Sequence, residues 1–192
     1  YDAVKYVATE KVTTLAQEKR YQVLQTVRKF LIGKGYTEVL LHTLIDSKKN
    51  PNAVKLANSL TSERDALRAE LAPELITASI KNYPYLDLVE KKAVELFEIG
   101  IVHSATAVDG LAVKSIVQKT HLALSIGMPK WPKKVDEARM PASILGELCV
   151  HLGVGTELVE DAVVSESKDG TTKVIEMDIT DIIDLVDMSK LS

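Results

Sequence analysis

Alternating apolar and polar residues begin the most informative stretch of the chain, which runs from position 54 to position 103. Val54 and Leu56 alternate with polar or small neighbours, as in a half-buried strand. Residues 58–62 are short polar residues typical of a turn, and Pro73 suits the first turn of a helix predicted over 74–82. Residues 94–103 form an apolar strand. The stretch therefore predicts strand, turn, helix and buried strand as one antiparallel unit.

Hydrophobic periodicity predicts the other elements as well. Apolar residues recur at helical spacing over 15–32, and either Gly33 or Gly35 can take the left-handed position that ends such a helix. Trp131, in a loop at 128–135, is expected to pack against the body of the domain. The remaining predictions are strands at 36–45, 113–127, 158–166 and 172–177, turns at 104–111 and 168–170, a helix from near Pro141 to 152, and a helix at 180–187. Together these elements predict an α+β fold, with a mostly antiparallel sheet flanked by helices.

The helix at 15–32 has an unusually wide apolar stripe. A helix that covers one sheet needs only a single stripe, so leftover apolar residues suggest a second contact. The simpler interpretation is an ordinary surface helix over a sheet. We predict instead that it packs on its own sheet through one face and offers another face to a partner; the candidate interface residues are Tyr21, Leu24, Val27, Phe30 and Leu31.

Composition narrows the class of protein. The 192 residues are enough for one substantial domain, and the net charge of −3 argues against a strong electrostatic grip on nucleic acid by the domain as a whole. No apolar run reaches the length of a membrane span, and no signal peptide is apparent. Because Tyr1 is not a natural start, we expect a fragment of a cytoplasmic protein, with a linker at 1–12 and a single domain at 13–192.

The residues that could carry chemistry are few. Cys149 is the only cysteine, which excludes an internal disulfide and a cysteine-based zinc site and favours a buried helix residue. The four histidines, at positions 42, 103, 121 and 151, fall on separate predicted elements without a metal-binding pattern. No phosphate loop or nucleophile motif is present. We therefore predict no catalytic, cofactor-binding or metal-binding residue.

Glu98 lies in the strand predicted to be buried. A buried carboxylate needs a compensating charge or hydrogen-bond donors, and Arg68 is the natural candidate. A structural ion pair between neighbouring elements is favoured over a general acid.

Four sequence blocks, taken in order, resemble a known family. They are Asn-Ser-Leu-Thr at 58–61, Leu-Arg at 67–68, Leu-Ala-Pro-Glu-Leu at 71–75 and Leu-Phe-Glu-Ile-Gly at 96–100. They resemble the catalytic-like module of the phenylalanyl-tRNA synthetase beta subunit, although Ser59 stands where proline is usual and Glu74 where glycine is usual. The helix at 15–32 and the strand after it resemble motif 1 of class II synthetases, which builds the subunit interface. The resemblance implies a class II aminoacyl-tRNA synthetase-like core.

The resemblance also implies a function. An active class II enzyme needs an arginine just after the motif 2 strand and another in a glycine-rich motif 3, to hold phosphate. Here the strand is followed by His103 and Ser104, and Arg139 lacks a glycine-rich context. The implied role is a non-catalytic module of a heterotetramer, partnered by the catalytic alpha subunit. ATP and magnesium would act in the complete enzyme, and tRNA(Phe) would be bound by the whole complex. The fragment could also self-associate through the same helix.

A second hypothesis is kept open. The chain could be a free-standing class II synthetase-like paralogue that binds a small metabolite, with Arg68, Glu98 and His103 lining the pocket. The missing phosphate-binding arginines favour the first hypothesis, although likeness of fold does not by itself fix function.

Overall fold

A computed structural model describes residues 15–50, 53–59, 61–107 and 114–190 of the chain. The helices in these ranges are α1 (Leu15–Gly33), α2 (Ala72–Asn82), α3 (Pro141–Leu152) and α4 (Ile182–Leu185). The strands are β1 (Thr37–Glu38), β2 (Leu44–Ile45), β3 (Val54–Lys55), β4 (Ala66–Leu67), β5 (Val94–Ala107), β6 (Lys114–Gly127), β7 (Val163–Glu166) and β8 (Thr172–Asp178).

The strands form two sheets. The larger one has the order β1-β5-β6-β8-β7, in which β1 runs parallel to β5 and the other pairs are antiparallel. The smaller one is antiparallel with the order β2-β4-β3. The predicted α+β class with a mostly antiparallel sheet is therefore confirmed. The centre of the large sheet is the long hairpin of β5 and β6, paired from Val94 opposite Gly127 to Ala107 opposite Lys114.

Each face of the large sheet is buried against helices. Side chains alternate between the two faces along a strand, so neighbouring residues enter different cores. Phe97, Leu122 and Leu124 belong to the core that also includes residues of α1, α3 and α4. Leu96 and Ala123 lie on the other face and pack with Leu71 and with residues of α2. None of the helices in the described ranges combines the length and apolarity that a bilayer span requires.

The predicted strand at 36–45 is wrong. The chain makes β1 and β2 there, and the two short strands belong to different sheets. β1 follows β5 only briefly, ending with the bond from Val39 N to Phe97 O at 2.9 Å. The chain then leaves the sheet with Leu40 82% exposed. Apolar content favoured a single strand, but it carries no information about which sheet each half joins.

Other predicted boundaries also change. β5 continues through the first part of the turn predicted at 104–111, whereas Asp109 and Gly110 lie outside the described residues, as does the linker predicted at 1–12. The strand predicted at 158–166 is a 3-10 turn, Thr156–Val159, followed by β7, and the last helix shortens to α4. The helix start near Pro141, the hairpin turn at 168–170 and the packing of Trp131 are confirmed, the last by its indole N–H donating to Thr171 O at 3.2 Å.

Gly35, rather than Gly33, takes the left-handed position at the end of α1. Its φ is 92°, and its N–H bonds to Ile32 O at 2.9 Å. Tyr36 N bonds to Leu31 O at 3.1 Å, and the side chains of both residues lie in the same core. This is the Schellman arrangement, in which a left-handed residue lets the chain satisfy the last carbonyl groups of the helix.

The two glycines provide a matched test of this helix end. Gly35→Ala should reduce the free energy of unfolding by about 1–2 kcal/mol, because an L side chain is strained at positive φ. Gly33→Ala should leave it unchanged or raise it by up to about 1 kcal/mol, since Gly33 is helical and no atom lies near its missing Cβ. Urea unfolding followed by circular dichroism measures both. Equal effects of the two substitutions would contradict the assignment.

Candidate functional site

Arg68 and Glu98 form a buried ion pair beside α2. Arg68 Nη1 lies 2.8 Å from Glu98 Oε1, and the two side chains are only 4% and 1% exposed. Arg68 Nε donates to Ile101 O at 3.1 Å, and Leu41 N donates to Glu98 Oε1 at 3.2 Å. The pair expected from the sequence is therefore present, and it joins the segment after β4 to β5 and to the segment after β1.

Gly100 makes room for the guanidinium group of Arg68. A Cβ at this position would clash with Arg68 Nη2 and lie 3.0 Å from Cδ2 of Leu71. The glycine that ends the Leu-Phe-Glu-Ile-Gly block is thus required by the arginine of the Leu-Arg block. Two of the sequence blocks fit together through this direct contact.

A second buried carboxylate, Glu176 of β8, holds the start of α2. Its oxygens accept hydrogen bonds from Leu71 N and Ala72 N, each at 2.9 Å, and His121 Nδ1 lies 2.7 Å from Oε1. Leu71, the N-cap residue, provides no side-chain cap of its own. Glu176 therefore satisfies two of the free N–H groups and interacts favourably with the positive end of the helix dipole.

Sequence reasoning missed Glu176. The available signal was a carboxylate between Ile175 and Met177 in an apolar strand, which is the same signal that identified Glu98. Its partners at the start of α2 could not be read from the sequence, because they are backbone groups more than a hundred positions away.

A cavity of about 400 Å³ lies beside Glu176, between the start of α2 and the middle of the hairpin. Its carboxylates are Glu70, Asp161, Glu176 and Asp178. Its basic side chains are Lys119, His103 and His121. We refer to this space, defined by these seven residues, as the acidic cavity.

Carboxylates outnumber the cationic side chains that line the acidic cavity. Burial would raise the pKa of Asp178, but hydrogen bonds from Lys119 and Thr180 outweigh this effect and lower it to about 2. Lys119 Nζ is 2.8 Å from Asp178 Oδ2, so its charge is already neutralised. Burial, and secondly the charge of Glu176, raise the pKa of Glu70. An anionic ligand would meet carboxylates and no free lysine.

The histidines are closer together than the sequence suggested. His103 of β5 and His121 of β6 both line the acidic cavity, and Nδ1 of His103 is buried without a hydrogen-bond partner among the described residues. Arg68 and Glu98 do not line it. The pocket predicted from Arg68, Glu98 and His103 therefore differs from the acidic cavity, which only His103 of these three residues lines.

All five arginines lie in described parts of the chain, and each has a partner. None of them lines the acidic cavity. Arg68 is held by Glu98, and Arg139 forms an ion pair with the buried Glu95 near the start of β5. The other contacts are Arg20 with Thr120, Arg28 with Glu38, and Arg64 with His42.

The side chains of the described ranges meet the requirements of neither a metal site nor a reactive thiol. They contain no group of three or more His, Cys, Asp or Glu side chains placed to hold a metal ion. Cys149 is buried on α3, as its sequence context indicated, and burial raises the pKa of its thiol.

The candidate interface on α1 needs a correction. Val27 and Leu31 are buried in the core of their own chain, so they are not available to a partner. Leu24 and Phe30 are half-buried against the same core. Tyr21 is 65% exposed, and Ile32, eleven positions later and close to three helical turns away, is exposed on the same face.

Comparison with protein families agrees with this organisation. The profile described as "Phenylalanyl tRNA synthetase beta chain CLM domain" matches residues 6–157, which is most of the chain. The chain belongs to this family. No curated protein matches it.

The contact between Arg68 and Gly100 predicts coupled effects on stability. Arg68→Ala should cost about 3–5 kcal/mol, because it leaves Glu98 buried without its charge partner. Gly100→Ala should cost about 1–3 kcal/mol, because its Cβ displaces the guanidinium group. The loss of stability caused by Gly100→Ala should be smaller when Arg68 is already alanine. A double-mutant cycle measured by urea unfolding should then give a coupling energy of about 1 kcal/mol or more.

Gly146 is the control for this cycle. It lies in α3 with no atom near its missing Cβ, so Gly146→Ala should be neutral or stabilising by up to about 1 kcal/mol. Strictly additive effects of the Arg68 and Gly100 substitutions would show that the contact does not constrain the glycine.

Proposed function

We propose that this chain is a non-catalytic structural and subunit-interaction module of a phenylalanyl-tRNA synthetase beta chain. Family membership links the chain to that enzyme. The observation that carries the non-catalytic role is the acidic cavity, which has four carboxylates and no arginine.

Phosphate chemistry explains why this observation matters. Adenylate formation builds negative charge on the phosphates of ATP, and enzymes stabilise it with arginine, lysine or magnesium. In the acidic cavity, Lys119 is bound to Asp178, and the arginines are engaged elsewhere. ATP and magnesium would therefore act in the complete enzyme rather than in this module.

The finer fold assignment is also a proposal. The long antiparallel hairpin of β5 and β6, with α1 leading into a strand parallel to β5, supports a class II synthetase-like core. In this proposal the module works in the cytoplasm, within a heterotetramer that acts on tRNA(Phe).

The partner surface that we propose is the outer face of α1 and the segment after β1. Tyr21, Ile32 and Leu40 are large apolar side chains exposed there. The ion pair between Arg28 and Glu38, 2.8 Å apart, fixes α1 against β1 beside them. We propose that the catalytic alpha subunit covers these residues, and that a second copy of the chain can occupy the same surface when the alpha subunit is absent.

One observation favours a second candidate, a free-standing paralogue that binds a small metabolite. The acidic cavity is large enough for a small ligand, and His103, whose Nδ1 is buried without a hydrogen-bond partner among the described residues, is one of the residues that line it. A cationic metabolite would complement the four carboxylates of the acidic cavity. Gel filtration with and without a catalytic alpha subunit separates the candidates, because only the first requires a stable complex.

Activity gives the most direct test. The chain alone should show no phenylalanine-dependent pyrophosphate exchange above a protein blank. The reason is that the acidic cavity offers the phosphates of ATP no arginine and no unpaired lysine. A complete phenylalanyl-tRNA synthetase under the same conditions is the positive control. Exchange clearly above the blank would overturn the non-catalytic role.

Association gives an independent test. Tyr21→Glu should weaken binding to the alpha subunit at least about tenfold, because it places a charge in an apolar contact. Val164→Glu is the matched control, since Val164 is also exposed but lies on β7 at the other edge of the large sheet. Sedimentation velocity measures association and thermal unfolding checks the fold. Equal weakening by both substitutions would contradict the proposed surface.

A further inference from the structure

A second concave surface lies at the open end of the hairpin, where β5 begins and β6 ends. It measures about 450 Å³. The loop that follows β6 forms most of it, and Lys92 and Ile126 also line it. Most of its charged side chains are cations. We refer to it as the lysine groove, defined by Lys92, Lys130, Lys133, Lys134 and Arg139.

The positive charge of the lysine groove is largely unneutralised. Arg139 is paired with Glu95, and Asp136, the single carboxylate lining the groove, caps a turn by accepting from Ala138 N at 3.2 Å. None of the four lysines has an ion-pair partner within the described part of the chain. Four free cations concentrated on a chain of net charge −3 repel one another, and a polyanion relieves that repulsion.

The groove also has an apolar and aromatic wall. Ile126, Met128 and Trp131 line it. The indole is fixed by its bond to Thr171 O, and Lys173 Nζ lies 5.3 Å from the ring centroid. Cations beside an aromatic ring suit a ligand that carries both phosphates and bases, because bases pack on aromatic side chains while lysines contact the backbone. A simple acidic peptide would use only the charges.

We propose that the lysine groove is a contact site for RNA. The proposal rests on the proposed function, since tRNA is the polyanion that such a synthetase handles, and it adds a binding site in this module itself. The acidic cavity supports the placement. Lys119 at the cavity and Ile126 at the groove are about 24 Å apart along β6, so the hairpin repels RNA near its middle and attracts it at its open end.

Trp131 provides a readout specific to this site, because it is the only tryptophan of the chain. Titration with a short single-stranded RNA and with a tRNA transcript, at about 50 mM salt, should change its fluorescence as a base approaches the ring. The logarithm of the binding constant should fall linearly with the logarithm of salt concentration. Absence of binding by both RNAs, or binding without any change in tryptophan emission, would overturn the proposal.

Charge substitutions in the groove supply the variant test. Lys133→Glu with Lys134→Glu should weaken RNA binding at least about tenfold and reduce the salt slope by roughly 1–2 units. Lys48→Glu with Lys49→Glu is the control, because it makes the same change in net charge at exposed lysines that do not line the groove. The neutral pair Lys133→Gln with Lys134→Gln should give an intermediate loss. Equal weakening by the groove and control variants would overturn the site.

Two further arms complete the experiment. Polyglutamate at the same charge concentration should compete weakly; if it matches RNA in affinity and in its effect on Trp131, the groove is a site for acidic peptides and the proposal fails. The assay uses the chain alone, so its failure is distinguishable from failure of the proposed function, which is decided by pyrophosphate exchange and association with the alpha subunit.

Discussion

The requirement to compensate two buried carboxylates organises this fold. Glu98 and Glu176 lie on the strands of the large sheet that face α2, where an uncompensated charge would cost several kcal/mol. Oε1 of Glu98 is paired with Arg68 and accepts from Leu41 N, whereas Oε2 is buried without a hydrogen-bond partner among the described residues. Glu176 accepts from the first N–H groups of α2 and lies against His121. These contacts hold three parts of the chain in one arrangement: α2, the hairpin of β5 and β6, and the segment of the small sheet, which Leu41 precedes and Arg68 follows. Apolar packing fills the core, and these polar contacts link the elements around it.

The same requirement shapes the chemistry of the surface. An arginine used to neutralise a buried carboxylate is no longer free to bind phosphate, and Arg68 and Arg139 are both used in this way. The carboxylates left at the acidic cavity then have only Lys119 and histidines near them. A sheet stabilised in this way leaves no arginine among the residues that line the acidic cavity.

The sequence predicted features that depend on side-chain pattern or on pairing of charged side chains, and it did not predict contacts to distant backbone groups. The long strands, the helix start at Pro141 and the pairing of Arg68 with Glu98 were predictable, because periodicity and the cost of a buried charge act within or between side chains. The contact of Glu176 with α2 was not, since it is made to backbone groups of a helix distant in sequence. The division of residues 36–45 into β1 and β2 also escaped prediction, because alternation does not say which sheet a strand joins. Val27 and Leu31 were assigned to the interface for a related reason: an apolar stripe does not reveal which of its residues face the core.

The position of the charges also explains how one small domain can be acidic overall and still present a surface that suits a polyanion. Long antiparallel strands carry side chains from one end of the sheet to the other, so groups on the same two strands can lie farther apart than the screening length of about 8–10 Å. The acidic cavity and the lysine groove are separated in this way along β6. Net charge averages over both and therefore predicts the behaviour of neither. The argument from a net charge of −3 against nucleic-acid binding holds for the domain as a whole but does not extend to one end of its hairpin.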